Sequence, residues 1–178
     1  MTVIKGSLSV KGINKMRKEL KKYKESFEYK CKLYIERLLE EGVEVTQAKV
    51  KESPLGKYVS ISTDISEEKA GCKGIIIATG EVKYSDEYAP FSTILAIEFG
   101  AGISYNPTQN PNADELGFGV GTFPGQSHAF EDGWYFWDDV KQKWIYSKGV
   151  KATMPMYETQ KYIADNFKRI AEEVFNDK

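Results

Sequence analysis

A chain of 178 residues, 41% hydrophobic and 29% charged, is sized for one domain with a core of its own. Twenty-five Lys and Arg against 26 Asp and Glu leave a net charge of −1, which by itself implies no polyanion-binding surface. No apolar run approaches the roughly 18–20 residues needed to span a bilayer, and the opening MTVIKGSLSV has neither a long apolar stretch nor a small-residue cleavage site. The expectation is a soluble, intracellular product. Cys31 and Cys72 lie far apart without CxxC or Cys/His spacing, which fits two free thiols in a reducing compartment. Charge is uneven along the chain. The first 42 residues are rich in lysine and the remainder leans acidic, a pattern that serves subunit contacts or solubility.

From about Gly12 to Glu41, apolar residues fall at Ile13, Met16, Leu20, Tyr23, Phe27, Cys31, Tyr34 and Leu38. Steps of three and four draw one stripe along a helix, and Gly42 reads as its stop. Some 30 residues would reach about 45 Å, more than a small domain needs. The expectation is an amphipathic helix lying on a sheet, with one end reaching a neighbour. Past Ser53-Pro54-Leu55-Gly56 the period becomes two. Residues 58–65 and 72–80 predict two strands, and the short polar turn between them predicts an antiparallel hairpin. Tyr88, Phe91, Leu95 and Phe99 fit helical spacing, so Ser85–Phe99 is expected as a short helix ending at Gly100. Residues 103–132 carry Gly, Asn and Pro without periodicity, a long mobile loop within the single domain. Residues 133–137 and 143–146 flank a polar turn and predict an aromatic hairpin. Met156, Tyr157, Ile163, Phe167, Ile170, Ala171, Val174 and Phe175 form a closing helix with Pro155 in its first turn. The sum is α+β: an antiparallel sheet of two hairpins, packed by a long N-terminal helix and a C-terminal helix that share it.

Familiar chemistry is mostly missing. His128, the lone histidine, sits near Glu131 and Asp132, but a metal site needs three or four ligands and no activated nucleophile accompanies it. Gly117-Phe118-Gly119-Val120-Gly121-Thr122 lacks the flanking strand and helix of a phosphate loop and the Gly-Lys-Ser/Thr of a Walker motif. Lysines of the first helix could meet phosphates, yet Glu19, Glu25, Glu28 and Glu36 interleave with them as on a wet helix face. Trp134, Tyr135, Phe136, Trp137, Trp144 and Tyr146 form the densest aromatic cluster. Alternate residues are expected in the core, and the surplus face suits a subunit contact. No catalytic, cofactor-binding or metal residue is nominated.

Two phrases bracket the loop. Ile97-Glu98-Phe99-Gly100-Ala101-Gly102 closes the apolar run, and Tyr146-Ser147-Lys148-Gly149-Val150-Lys151-Ala152-Thr153-Met154-Pro155-Met156-Tyr157 opens the last helix. Together they resemble the tail-completion, or head–tail joining, proteins of long-tailed bacteriophages, in a version associated with prophages of Gram-positive bacteria. There an EFG-(T/A)-G phrase precedes a variable loop, and a G-x-x-A-x-(P)-(F/M) phrase starts a closing helix. The likeness spans nearly the whole chain, with its specificity after Ala89. It departs where many members carry Pro-x-Asp-Thr-Gly and this chain has Ser53-Pro54-Leu55-Gly56, and in the inserted aromatic hairpin.

The resemblance implies a non-enzymatic structural protein at the neck or head-proximal end of the tail. It would be made in the host cytoplasm and then carried in the virion. Its partners would be copies of itself in a ring, commonly of six, together with the head–tail adaptor and tail tube or terminator proteins. DNA contact would be transient at most, and neither membrane nor cofactor is implied. It also implies that the two phrases meet near a subunit rim, which nominates Glu98, Phe99, Gly100, Gly102, Gly149, Met154, Pro155, Met156 and Tyr157 as interface residues, with Met154, Met156 and Tyr157 beside Phe99. The competing expectation is a small-molecule enzyme or binding protein with its pocket under residues 103–132.

Overall fold

The computed structural model describes residues 4, 7–68, 71–82, 91–102, 110–113, 115–116, 133–138 and 141–176. Ser9 opens helix α1 (Val10–Lys51), its hydroxyl accepting from the Gly12 N–H as an N-cap does. Lys49 and Lys51 occupy the last turn, where cations suit the helix dipole. The helix runs through Gly42 instead of stopping there. The reason lies in what Gly42 faces: a Cβ at this position would come within 2.6 Å of the Ile76 tip and 3.2 Å of the Ile163 tip. A glycine inside a helix costs about 1 kcal/mol relative to alanine, and here it admits two other elements to the helix backbone. Leu39, Gly42, Thr46 and Val50 are the buried residues of α1, and their spacing of three and four continues helical packing past the glycine.

Strands β1 (Ser60–Glu68) and β2 (Gly71–Thr79) form the antiparallel hairpin, with Ile61 opposite Ala78 and Ile65 opposite Gly74. Its inner face lies on α1: a Cβ at Gly74 would meet the side chains of Ile35 and Leu39. Strands β3 (Glu81–Val82) and β4 (Phe91–Ser92) make a short antiparallel pair ahead of helix α2 (Thr93–Phe99). Of the helix expected over 85–99, Thr93–Phe99 is helical and Phe91–Ser92 is strand, while residues 85–90 lie outside the described residues. Ser92 caps α2 by accepting from the Leu95 N–H, and an N-cap has non-helical backbone. Strands β5 (Trp134–Asp138) and β6 (Lys143–Ser147) form the aromatic hairpin.

Helix α3 (Pro155–Asn176) packs chiefly along α1, antiparallel to it. The Thr46 and Thr159 hydroxyls meet at 2.7 Å, the Tyr162 hydroxyl donates to Glu41 at 2.7 Å, and that of Tyr34 donates to the Phe167 carbonyl at 3.1 Å. Farther along, Lys30 Nζ donates to the Phe175 carbonyl at 3.3 Å, and the Phe27 and Phe175 rings lie 5.8 Å apart. The Tyr162 hydrogen bond, together with Arg169 beside it, holds the Glu41 carboxyl below its ordinary range. The α+β class holds. The sheet does not seat both helices side by side, because the strands described form three separate two-stranded ribbons. Two strands about 4.8 Å apart offer roughly the width of one helix. With α1 already on the hairpin, α3 buries its stripe against α1.

Candidate functional site

The two phrases that flank the loop meet at one buried junction. Helix α2 ends at Gly100, whose φ of 79° lies in the left-handed region that glycine adopts without a Cβ clash. The chain then pairs through Ala101 with Val150: the Ala101 N–H donates to the Val150 carbonyl at 2.9 Å and the Val150 N–H to the Ala101 carbonyl at 2.7 Å. Gly149, with φ 118°, makes the approach possible, since a Cβ there would stand 2.2 Å from the Ala101 carbonyl oxygen. Ala96, Ala101 and Val150 pack together with Leu55 beneath this bridge.

Helix α3 begins without a capping side chain of its own. The Met154 carbonyl accepts the first helical N–H, from Glu158, at 2.9 Å, so Met154 stands at the N-cap, Pro155 at the first helical position, and Met156 and Tyr157 follow. A methionine has no oxygen to offer the first free N–H groups. Glu98 supplies it from α2. One carboxylate oxygen, Oε2, accepts from the Met156 N–H at 2.8 Å, and the other, Oε1, accepts from the Tyr157 N–H at 3.0 Å. Asn110 Nδ2 donates to Oε1 at 2.8 Å. A carboxylate here also faces the positive end of the α3 dipole. The N–H groups of Thr153 and Met154 both point at the Ile97 carbonyl, 2.9 and 3.3 Å away, and answer a free acceptor at the end of α2. They hold Met154 at φ 53°, a left-handed conformation uncommon for a residue with a side chain.

Glu98 is 6% exposed. Burial pushes its carboxyl above the ordinary range, and the N–H groups of Met156 and Tyr157 and the Asn110 amide pull the other way without cancelling it. Asn110 is itself fully enclosed, and its side-chain carbonyl accepts the Asn112 N–H at 2.9 Å, closing a turn that brings Ala113 onto Phe99 and Leu95. Part of the long segment between the phrases is thus anchored to the end of α2. The rest of residues 103–132, including His128 and the glycines at 117, 119 and 121, lies outside the described residues, as does any pocket beneath it.

Of the nine nominated interface residues, Glu98, Phe99, Gly100, Gly102 and Pro155 are buried inside the chain, while Gly149, Met154, Met156 and Tyr157 are half-buried. The first group builds the junction, and the second can reach beyond it. Sequence reasoning missed Asn110. The available signal was Thr153-Met154-Pro155: a helix start with no Ser, Thr, Asp or Asn at the cap calls for an acceptor from elsewhere.

The described aromatic side chains of the hairpin belong to one face; those of Trp134, Phe136 and Trp137, on which the expected core role partly rests, lie outside the described residues. Tyr135, Trp144 and Tyr146 are 66%, 65% and 45% exposed, with the Tyr135 and Tyr146 rings paired at 5.0 Å across the strands. A two-stranded ribbon has two faces, and these three residues share one of them. Among the described residues no group of three or more His, Cys, Asp or Glu is placed to hold a metal ion, and no helix is long and apolar enough to cross a membrane. An open cleft of about 420 Å³ lies between Tyr58, Ser60, Ala78, Glu81, Ser92 and Ile94, with Glu81 the one carboxylate among the described residues that line it. No protein-family model matches the chain, and no curated protein and no solved structure matches it.

Proposed function

We propose that the chain is a structural component of phage assembly, a tail-completion or neck protein that joins head and tail through ring-forming self-association and docking. The observation that carries this reading is the junction. The EFG-A-G phrase and the helix-opening phrase, which bear the resemblance, form one unit in which Glu98 caps α3 and Ala101 pairs with Val150. Half-buried Met154, Met156 and Tyr157 stand at that unit, and flexible thioethers adapt to an imperfect partner. The exposed Tyr135, Trp144 and Tyr146 add aromatic area of the kind subunit contacts use. The work is done by positioning surfaces, with no catalytic step or cofactor. Partners are copies of the same chain, the head–tail adaptor and the tail tube or terminator, with DNA passing the ring in transient contact. The protein acts in the host cytoplasm during assembly and stays at the neck or head-proximal tail.

Gold-labelled antibody against the chain tests the location: label should fall between head and tail, and unlabelled particles would refute the reading. Gly100→Leu tests the mechanism. At φ 79° a side chain is strained, so the junction distorts and filled heads and separate tails should accumulate under the electron microscope. Normal joined virions from that variant would reduce the segment to an ordinary turn.

A further inference from the structure

The N-terminal part of α1 extends beyond both elements that pack on the rest of it. Helix α3 ends beside Phe27. Gly74 lies on Ile35 and Leu39, so the last described pair of the hairpin, Glu68 with Gly71, about 10 Å farther on, lies near the level of Tyr29. Residues Val10 to Ser26 therefore project as roughly 25 Å of helix, and Ile13, Leu20 and Tyr23 on their apolar stripe are 49%, 56% and 53% exposed. The arm is also basic. It carries seven Lys or Arg and two Glu, a balance of +5, and because the whole chain stands at −1, the remaining residues carry −6. Lys15, Lys21 and Lys24 pair within the helix with Glu19, Glu25 and Glu28. Among the described residues Lys11, Arg17, Lys18 and Lys22 have no carboxylate partner.

Two arms do not suit each other. Antiparallel pairing sets Arg17 of one arm against Lys24 of the other, both flanking the stripe, and like charges oppose it. Parallel pairing is blocked because α3 occupies the same stripe from Phe27 onward. A different surface of the same chain fits better. In the run Ile75-Ile76-Ile77, Ile76 points to Gly42 of α1, while Ile75 and Ile77 face outward, 36% and 42% exposed. A strand apolar on both faces is the pattern of a sheet covered on both sides. On that outer face Asp64 stands opposite Ile75, and Glu68 ends the strand beyond it. Among the described residues neither carboxylate has a cationic partner, and Lys73 is the single cation on the face.

We propose that the arm of one copy lies across the outer face of the β1–β2 hairpin of a second copy. Leu20 and Tyr23 cover Ile75 and Ile77, and Arg17 and Lys24, which flank the stripe on one side, approach Asp64 and Glu68 on the neighbouring strand. The donor and receiving surfaces differ, so the contact is head-to-tail and repeats until rotation closes a ring. The inference thus rests on the ring reading above and names its contact. One arm covers less than the roughly 800 Å² per partner of a standard interface, so isolated pairs should be weak and closure should stabilise the assembly.

The test uses the full chain. With Cys31→Ser and Cys72→Ser as background, Leu20→Cys with Ile77→Cys should give an intermolecular ladder under a short bis-maleimide, whereas Leu20→Cys alone should not. Within one chain the two positions lie far apart, because residue 77 packs past the level of Gly42. Separately, with native cysteines, Arg17→Glu/Lys24→Glu and Asp64→Lys/Glu68→Lys should each weaken low-salt self-association at least tenfold by sedimentation. Combining all four should restore it to within threefold. Dimers from Leu20→Cys alone, association indifferent to both charge reversals, or binding to phosphatidylserine vesicles without self-association would each overturn the proposal. Cross-links in a protein missing from the particle neck would sink the ring reading and leave this contact standing. Label at the neck without the cross-links would sink the contact alone.

Discussion

Replacing Glu98 by alanine should be among the most damaging single changes that leave the core hydrocarbon intact. The substitution strips the acceptor from the Met156 and Tyr157 N–H groups and from Asn110 Nδ2 at one stroke. Loss of a helix N-cap costs about 0.5–2 kcal/mol, and each hydrogen bond to a charged group contributes about 1.5–3 kcal/mol. Against this, alanine removes the cost of burying a carboxylate, which is what raises the Glu98 pKa. The net loss should be about 2–4 kcal/mol, or about 5–15 °C in Tm for a domain of this size. Glu98→Gln keeps one acceptor oxygen and turns an NH₂ toward a remaining donor, so it should cost less than alanine. The two variants also separate capping from charge. The folded form holds the Glu98 proton more tightly than the unfolded chain does, so wild-type stability falls as pH rises from the ordinary carboxylate range through the raised folded value. Glu98→Gln lacks that slope, so lowering pH through the same window should stabilise wild type relative to it. Urea unfolding at several pH values measures both effects. An alanine variant within about 1 kcal/mol of wild type would refute the capping argument, and a wild-type-minus-Gln difference flat in pH would refute the burial-raised carboxyl.

Other outcomes follow from neighbouring geometry. Thr46→Val or Thr159→Val alone should cost about 1–3 kcal/mol, because each leaves a buried hydroxyl short of a partner. The double variant should lose measurably less than the sum, and strict additivity in urea titrations would count against the pair. Burial first, then Cys72 and Glu28 nearby, raise the Cys31 thiol above its ordinary pKa. Its alkylation at pH 8 should therefore run several-fold slower than that of a free thiol, and a rate equal to glutathione's would contradict this. On the phage reading proposed above, His128→Ala should leave infectivity unchanged in a plaque assay, whereas intact but non-infectious particles would favour chemistry at that residue.

The segments that carry their own periodicity were legible without coordinates. The stripe from Ile13 to Leu38, the alternation through residues 58–80, the aromatic hairpin and the stripe from Met156 to Phe175 each correspond to a described element. Local side-chain spacing decides which face of an element is apolar, and that depends on neighbours three, four or two residues away. What lies opposite that face does not. Gly42 reads as a stop because glycine is a poor helix former, and only the packing of Ile76 and Ile163 against its missing side chain explains why the helix continues. Residues 85–92 share the helical spacing of α2, yet Phe91–Ser92 pairs with Glu81–Val82, a partner that spacing cannot reveal. Pairing α3 with α1 follows from the narrowness of a two-stranded hairpin. The cap on α3 comes from Glu98, held by Asn110; 58 and 59 residues separate it from the N–H groups it serves. Hydrogen bonding between distant segments leaves no local period, so the chain alone determined the faces and the tertiary structure decided what covers them.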